Sequence, residues 1–386
     1  MSVDNIVGKV VELLKNDMGK VVDAIQKEIN DMGYANIIVT GKTGVGKSTL
    51  INSVFREKFA DTGVGAPVTD KIREYTKEGV PLRVYDTVGL ELGKDNQKQV
   101  SDGINSIIKT ALNSGDVSRH IHCIWYCVNV NSNRFESAEE LFVEQLAKEN
   151  VHTDVPVIVV LTLAHNKTLS AQMKSYIDEK NLNIKGIFTV LAEDYHDEDF
   201  CRKAYGGEEL IEFTHNILPE SAKKAFTNAQ SVSLKLKRDK AHAIIAATTA
   251  TSFGVGFIPI PFADAALLVP AQITMLASIS AVYGISLDRS TMTTVVASLL
   301  GTTGVTVAGK SIAANLIKFI PGAGSALGGM ISGTTAAVLT TALGKTYSIV
   351  MEKLVTGEIT EKDIKNRNFM KSMRKIFKKE AAQSDS

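Results

Sequence analysis

Cysteine is scarce: Cys123, Cys127 and Cys201 are the only three in 386 residues, and no two have Cys-x-x-Cys spacing. That excludes a disulfide framework and a thiolate metal site, and it suits a reducing cytosol. Cys123 and Cys127 lie in an apolar run and are expected in the core. Charge of one sign is also lacking. The formal net charge is +1, so no overall field points to nucleic acid as a partner. An apolar leader core is missing as well. Ile6, Val10, Leu13, Leu14, Val21, Ile25 and Ile29 recur at helical spacing but are interrupted by charges. Residues 1–33 therefore read as an amphipathic helical segment, expected to pack against the C-terminal helices. Finally, between Ala241 and Gly344 only Asp264, Asp288, Arg289, Lys310 and Lys318 are charged.

What is present centres on Gly41-Lys42-Thr43-Gly44-Val45-Gly46-Lys47-Ser48-Thr49, which fits G-x-x-x-x-G-K-[ST] without mismatch. An apolar run, Ala35–Thr40, precedes it as a buried strand, and residues 48–55 follow with helical spacing. Glycines at 41, 44 and 46 let the backbone turn its N–H groups inward, and the helix start aims its positive end at the same spot. Lys47 would reach the β- and γ-phosphates, and the Ser48 hydroxyl would ligate Mg²⁺.

Residues 61–70 are rich in turn formers and read as a mobile loop carrying Thr69. Two short strands follow, Ile72–Thr76 and Pro81–Tyr85, with a turn at Glu78-Gly79. The second ends in Asp86-Thr87-Val88-Gly89. Asp86 there can hold the Mg²⁺ shell, the Gly89 amide can contact the γ-phosphate, and Thr69 is a ligand that leaves the metal once that phosphate is gone. The catalytic set expected is Lys47, Thr69 and Gly89, and the metal set is Ser48, Thr69 and Asp86.

With these elements in order, residues 34–217 resemble an Era-like (TrmE-Era-EngA-type) P-loop GTPase. The resemblance implies a mixed, mostly parallel α/β sheet with helices on both faces, binding GTP or GDP with Mg²⁺. Two departures matter. Such GTPases read guanine with [NT]-K-x-D. Here Thr162 fits, but Leu163 and His165 hold the lysine and aspartate positions, and Asn166-Lys167 offers only a shifted match. Guanine preference is thus implied by the family and not by an intact motif. Ala192, in Val190-Leu191-Ala192-Glu193, sits where the family places a backbone contact to the base. The second departure is Leu90, at the place of a water-orienting glutamine; its side chain cannot hydrogen-bond. That suggests slow turnover, or a group supplied by the same chain or a dimer partner. Relatives that use a potassium ion for this purpose have asparagine at the Gly44 position, which argues against that device.

His120 and His122 alternate with apolar neighbours and read as structural. Glu193-Asp194 and residues 197–199 read as a solvated acidic run, and Arg134 as a surface ion-pair former.

Residues 218–240 read as one connector helix. Beyond them, the uncharged runs 241–263, 265–287, 290–309 and 319–344 each reach the ~20 residues of a membrane span. They are dominated by Ala, Gly, Ser and Thr, with Pro259, Pro261, Pro270 and Pro321. Such composition drives insertion weakly and favours close helix contact. Tyr283-Gly284-Ile285 and Lys318–Gly329 make residues 241–352 similar to the YcjF-type helical domain that follows many Era-like GTPases. In the tail, 353–386, Phe369, Met373, Ile376 and Phe377 share a helical face flanked by Lys371, Arg374, Lys375, Lys378 and Lys379. Two readings stay open for it: a helix lying on anionic lipid, or a docked terminal helix with a solvated basic face.

The function expected is a GTP-binding regulatory protein with slow Mg²⁺-dependent hydrolysis, its nucleotide state controlling the apolar helical domain, with a membrane as one setting. The alternatives are a ribosome-associated GTPase and an ATP- or nucleotide-binding scaffold with little turnover. A ribosomal role needs a basic RNA-binding module, which the charge-poor segment does not offer. The partners expected are a guanine nucleotide, an anionic membrane surface and a second copy through the GTPase domain, with no nucleic acid. The expected location is cytoplasmic, membrane association being the open alternative.

Overall fold

The structure, a computed structural model, describes residues 23–24, 27–28, 30–56, 59, 64–69, 72–87, 94–132, 135–149, 153–197, 200–255, 260–261, 269–285, 330–331, 333–364 and 366–383. The chain divides into two units, Met32–Ser233 and Leu234–Ser386 together with Met1–Asp31.

In chain order the first unit runs β1 (Ala35–Gly41), α1 (Lys47–Val54), β2 (Val64–Thr69), β3 (Ile72–Lys77), β4 (Val80–Thr87) and α2 (Lys94–Asn113). It continues through β5 (Cys123–Asn129), α3 (Ser137–Glu149), β6 (Val157–Thr162), α4 (Lys167–Asp178) and β7 (Gly186–Thr189). A small hairpin, β8 (Tyr195–Asp197) and β9 (Phe200–Arg202), precedes α5 (Gly207–Ile217) and α6 (Glu220–Ala229). The main sheet has the order β2-β3-β4-β1-β5-β6-β7. Its β4, β1, β5, β6 and β7 run parallel, and β2 and β3 are antiparallel additions. This is the mixed, mostly parallel sheet expected.

Every residue of β1 is buried, as a central parallel strand covered on both faces must be. On one face Ile38, Ile124 and Tyr126 pack with Ile104 and Ile108 of α2, Phe142 of α3 and Ile177 of α4. On the other, Trp125 stacks on Phe55 at 5.7 Å, and Phe226 of α6 meets Phe55 edge-on at 5.9 Å. Cys123 and Cys127 are fully buried, as expected, and Cys201 is exposed. His122 is structural too: its Nδ1 accepts the Asn36 N–H at 2.9 Å, and burial pulls its pKa down to about 4.

Two sequence expectations need correction. Residues 64–69 are not loop but strand β2, paired with β3. Turn-forming Gly65 and Pro67 are tolerated because β2 is an edge strand, where proline's missing N–H costs no ladder bond, and the register shifts beside Pro67. Residues 218–240 are not one connector helix. In α6, Ala222, Ala225, Phe226 and Ala229 lie at i, i+3, i+4 and i+7 and are all buried. That face packs on β4 and β1. The Ser231 N–H then donates to Val54 O at 2.9 Å, which ties the end of this helix to the end of α1.

The second unit holds α7 (Leu234–Val255), β10 (Ile260–Pro261), α8 (Val269–Tyr283), β11 (Met330–Ile331), α9 (Gly333–Val355), α10 (Glu361–Ile364) and α11 (Arg367–Gln383). Runs 290–309 and 319–329 lie outside the described residues, as does the N-terminal stretch 1–22. Ala24, just after that stretch, packs against the core of this unit. Ala241, Ile245, Met275, Ile279, Leu343 and Tyr347 are among the residues of that core. Polar groups link the helices: Ser280 Oγ with Tyr347 Oη at 2.6 Å, Tyr283 Oη with Ser348 Oγ at 3.0 Å, and Lys237 Nζ donating to Val282 O at 2.9 Å. Among the described residues, no helix is long and apolar enough to cross a membrane.

For the tail, the structure takes the docked alternative. Met373, Phe377 and Ala381 of α11 are buried in the core of the unit, with Phe369 and Ile376 packed against it. Lys371, Lys375, Lys378 and Lys379 are exposed.

At Gly344, α9 comes so close to α7 and α8 that a side chain has no room. A Cβ there would lie 2.6 Å from Ile245 Cγ1 and 3.0 Å from Met275 Sδ. Gly344→Leu gains ~0.8 kcal/mol of helix propensity but overpacks the crossing by ~1–3 kcal/mol. Overpacking should outweigh propensity, so denaturant titration of the full chain is expected to show a net loss of ~1–2 kcal/mol. An unchanged midpoint would mean the helices can part without cost.

Candidate nucleotide-binding site

The phosphate loop joins the C-terminal end of β1 to α1, at the edge of the sheet where ligands of open α/β folds bind. Gly41, at φ 144°, has no room for a side chain, because a Cβ would collide with the Cys127 carbonyl of the neighbouring strand. Gly46, at φ 87°, is the N-cap of α1. Glycine has no capping side chain, so the first-turn N–H groups stay available to an anion. Thr43, Gly44 and Ser48 are exposed, Thr49 is half-buried and Val45 is buried. Lys47 lies across the loop, its Nζ donating to Gly41 O at 3.0 Å and Lys42 O at 2.9 Å.

Asp86 sits next to last in β4, paired in register with Val39 of β1 on one side and Arg73 of β3 on the other. Its Oδ1 is buried and, among the described residues, has no hydrogen-bond partner. Burial pushes its pKa up to about 6, against the pull of the Lys47 ammonium and the Arg73 guanidinium. A carboxylate oxygen sealed from water without a donor is a costly feature unless a cation completes it. With the exposed Ser48 hydroxyl and the acceptor-only chemistry of a carboxylate, the residues fit a hard cation such as Mg²⁺. Burial also pushes the Cys127 thiol beneath them up to about 12.

Thr69 ends β2, its backbone paired with Ile72. Gly89 and Leu90 lie outside the described residues. Thr162, which fits the first position of the base-specificity motif, stands behind the phosphate loop. It is buried, and its hydroxyl lies 2.5 Å from Val45 O and 3.0 Å from Val128 O. It therefore braces the phosphate loop from behind. Asn166 is no shifted base reader either; its side chain caps α4, accepting the N–H groups of Thr168 and Leu169. Ala192 follows β7, on the loop whose Val190 O accepts the Ala164 N–H at 3.4 Å.

Sequence reasoning missed several supports. Lys42 Nζ pairs with Glu139 at 2.9 Å and Glu136 at 3.1 Å, which pins the first turn of the loop to α3. Leu163, at φ 53°, lays its side chain beside Gly46. His165 stacks on Tyr195 of β8 at 4.3 Å, with ring planes 10° apart. No local pattern announces such partners, since Lys42 and Glu139 are brought together only by the sheet. A groove of about 780 Å³ lined by Val130, Phe135, Leu169, Met173 and Tyr176 includes none of the phosphate-loop residues, so it is not this site.

Parts of the chain resemble known proteins. Residues 36–163 match the family model described as 50S ribosome-binding GTPase, and residues 221–378 match the domain of unknown function DUF697. The tRNA modification GTPase MnmE of Bacillus cytotoxicus is 29% identical over 181 residues, 44% of this chain and 37% of that protein. Translocase of chloroplast 108 of Physcomitrium patens is 50% identical over 56 residues, 14% of this chain and 6% of that protein. The chain thus spans from 6% to 37% of the length of these two relatives. Among solved structures, Era in complex with MgGDPNP and 16S ribosomal RNA nucleotides aligns over 49% of this chain and 58% of its own, at 15% identity and TM-score 0.30. Toc33 from Arabidopsis thaliana with Mg²⁺ and GMPPNP aligns over 55% and 93%, at 17% identity and TM-score 0.30. Residues 36–163 are thus similar to the GTPase domains of the 50S ribosome-binding GTPase family, and residues 221–378 to the DUF697 domain.

Proposed function

We propose that the protein binds GTP with Mg²⁺, hydrolyses it slowly, and uses its nucleotide state to control the helical domain. The observation that carries this reading is the buried, unpartnered Asp86 Oδ1 within electrostatic reach of Lys47. The loop amides and the start of α1 take the α- and β-phosphates, and the Lys47 ammonium exchanges its two carbonyl contacts for phosphate oxygens. Ser48 and Asp86 would hold Mg²⁺, with Thr69 joining in the triphosphate form; the ion supplies charge neutralisation across the β- and γ-phosphates. The Gly89 amide, with Lys47, steadies charge on the γ-phosphate in transfer to water.

In sequence, Leu90 holds the place of the glutamine that orients that water in small signalling GTPases. Single-turnover hydrolysis by the full chain with Mg²⁺ is therefore expected well below ~1 s⁻¹, in the range of unassisted GTPases. A rate of ~1 s⁻¹ or above would show that another group of the chain positions the water. Acceleration with protein concentration would support a second copy, meeting the first through the GTPase domain, as the source of that group.

A membrane setting is supported by the exposed lysines of α11, through charge alone, because the apolar face of that helix is packed inward.

A further inference from the structure

The base-reading loop, 163–166, departs from its relatives in chemistry, and its surroundings define what replaces the missing carboxylate. Four contacts hold the loop in place. Asn131 Nδ2 donates to Leu163 O at 3.0 Å, the Tyr205 hydroxyl donates to Ala164 O at 2.8 Å, the Ala164 N–H reaches Val190 O at 3.4 Å, and the His165 N–H turns back to Leu163 O at 2.9 Å. Leu163, beside Gly46, offers an aliphatic face where a lysine stem would lie. His165 takes the aspartate position, half-buried, with one ring face covered by Tyr195, which opens β8 at the end of the loop after β7. On that second loop Asp194 is engaged elsewhere: Lys203 Nζ donates to it at 2.6 Å and the Ala204 N–H at 2.9 Å. The two loops leave the C-terminal ends of β6 and β7, on the same edge of the parallel sheet as the phosphate loop after β1, and Leu163 lies beside Gly46 of that loop.

We infer that His165, buttressed by Tyr195, is the specificity-determining residue of this site, and that it accepts guanine and hypoxanthine nucleotides alike. The inference rests on the GTP-binding reading above. A carboxylate presents two acceptor oxygens, one for the N1–H of guanine and one for its 2-amino group. A neutral imidazole presents a single acceptor nitrogen. It can pair with the N1–H that guanine and hypoxanthine share, and it leaves the 2-amino group, which only guanine has, without a partner. The usual penalty against a base lacking that group therefore disappears.

The test is displacement of a fluorescent GDP analogue from the full chain, with Mg²⁺, by GTP and by ITP. The native chain is expected to bind the two within about threefold of each other. His165→Asp restores the second acceptor, and the ratio of GTP to ITP affinity is expected to rise to about tenfold or more. A purely structural role for His165 would shift the melting temperature and leave that ratio alone. Tyr195→Ala, which strips the buttress, is expected to weaken GTP and ITP in parallel. A native preference for GTP of tenfold or more would overturn the inference while leaving GTP binding in place. So would a His165→Asp chain that melts like the native one and still binds both alike. Failure of both nucleotides to displace the probe would overturn the GTP-binding reading, and this inference with it.

Discussion

Lys47→Ala is expected to lower affinity for the triphosphate by about 100-fold or more, read by equilibrium titration of the full chain with a fluorescent GTP analogue. Hydrogen bonds to a charged group are each worth ~1.5–3 kcal/mol, and one ammonium facing two phosphates makes at least two. A loss of ~3 kcal/mol corresponds to about two decades in Kd. The variant also has a structural cost. Lys47 Nζ donates to the carbonyls of Gly41 and Lys42, and truncation leaves both without that donor. We expect a stability loss of ~1 kcal/mol, small because the loop is pinned independently through Lys42 to Glu139 and through Val45 to Thr162. The folded chain should therefore persist, as circular dichroism would show. Unchanged affinity in the folded variant would refute phosphate binding by this loop.

Asp86→Asn should separate function from stability in opposite directions. The folded-state pKa of Asp86 stands at about 6, above the usual carboxylate value of ~3.9. A group raised in this way favours the folded chain most at low pH, and that contribution is lost as pH rises from about 4 through 6. At neutral pH the buried charge then costs up to ~3 kcal/mol, from ~1.4 kcal/mol per unit. Asparagine removes the charge but still buries a polar group, so a net gain of ~1–2 kcal/mol is expected for the nucleotide-free chain at pH 7.5, in denaturant titration. The gain should vanish near pH 4. His122, with a folded-state pKa of about 4, titrates with the opposite sign: burial of its neutral form is penalised as pH falls from about 6.5. The difference between variant and native chain cancels that background. In return, the variant should lose its dependence on Mg²⁺ for triphosphate binding. A variant both destabilised and still Mg²⁺-dependent would remove Asp86 from the metal site.

Much of the first unit was legible from local pattern. The run Ala35–Thr40 is buried strand β1, the turn at Glu78-Gly79 joins β3 to β4, and the loop Gly41–Gly46 leads into α1 where the glycine spacing put it. Such features are written in neighbouring residues, because strand burial follows from consecutive apolar side chains and tight turns from glycine itself. Residues 64–69 read as loop because Gly65 and Pro67 dominate locally, yet pairing with β3 outweighed them. In the tail, periodicity identified the amphipathic helix but could not say what covers its apolar face.

By itself, the sequence determined the phosphate-loop pattern with the strand before it and the helix after it, the turn at Glu78-Gly79, and the small-residue character of the second unit. Tertiary structure alone decided where side chains distant in sequence were spent. It set Thr162 as a brace on Val45, moved α6 from connector to sheet cover, and set Lys42 against a buried Glu139. It left Asp86 Oδ1 buried with no donor among the described residues, and it stacked His165 on Tyr195. The reason is physical. Periodicity and turn chemistry act over a few residues, whereas burial, desolvation and ion pairing depend on which strands the sheet places side by side, and no short window of sequence contains that information.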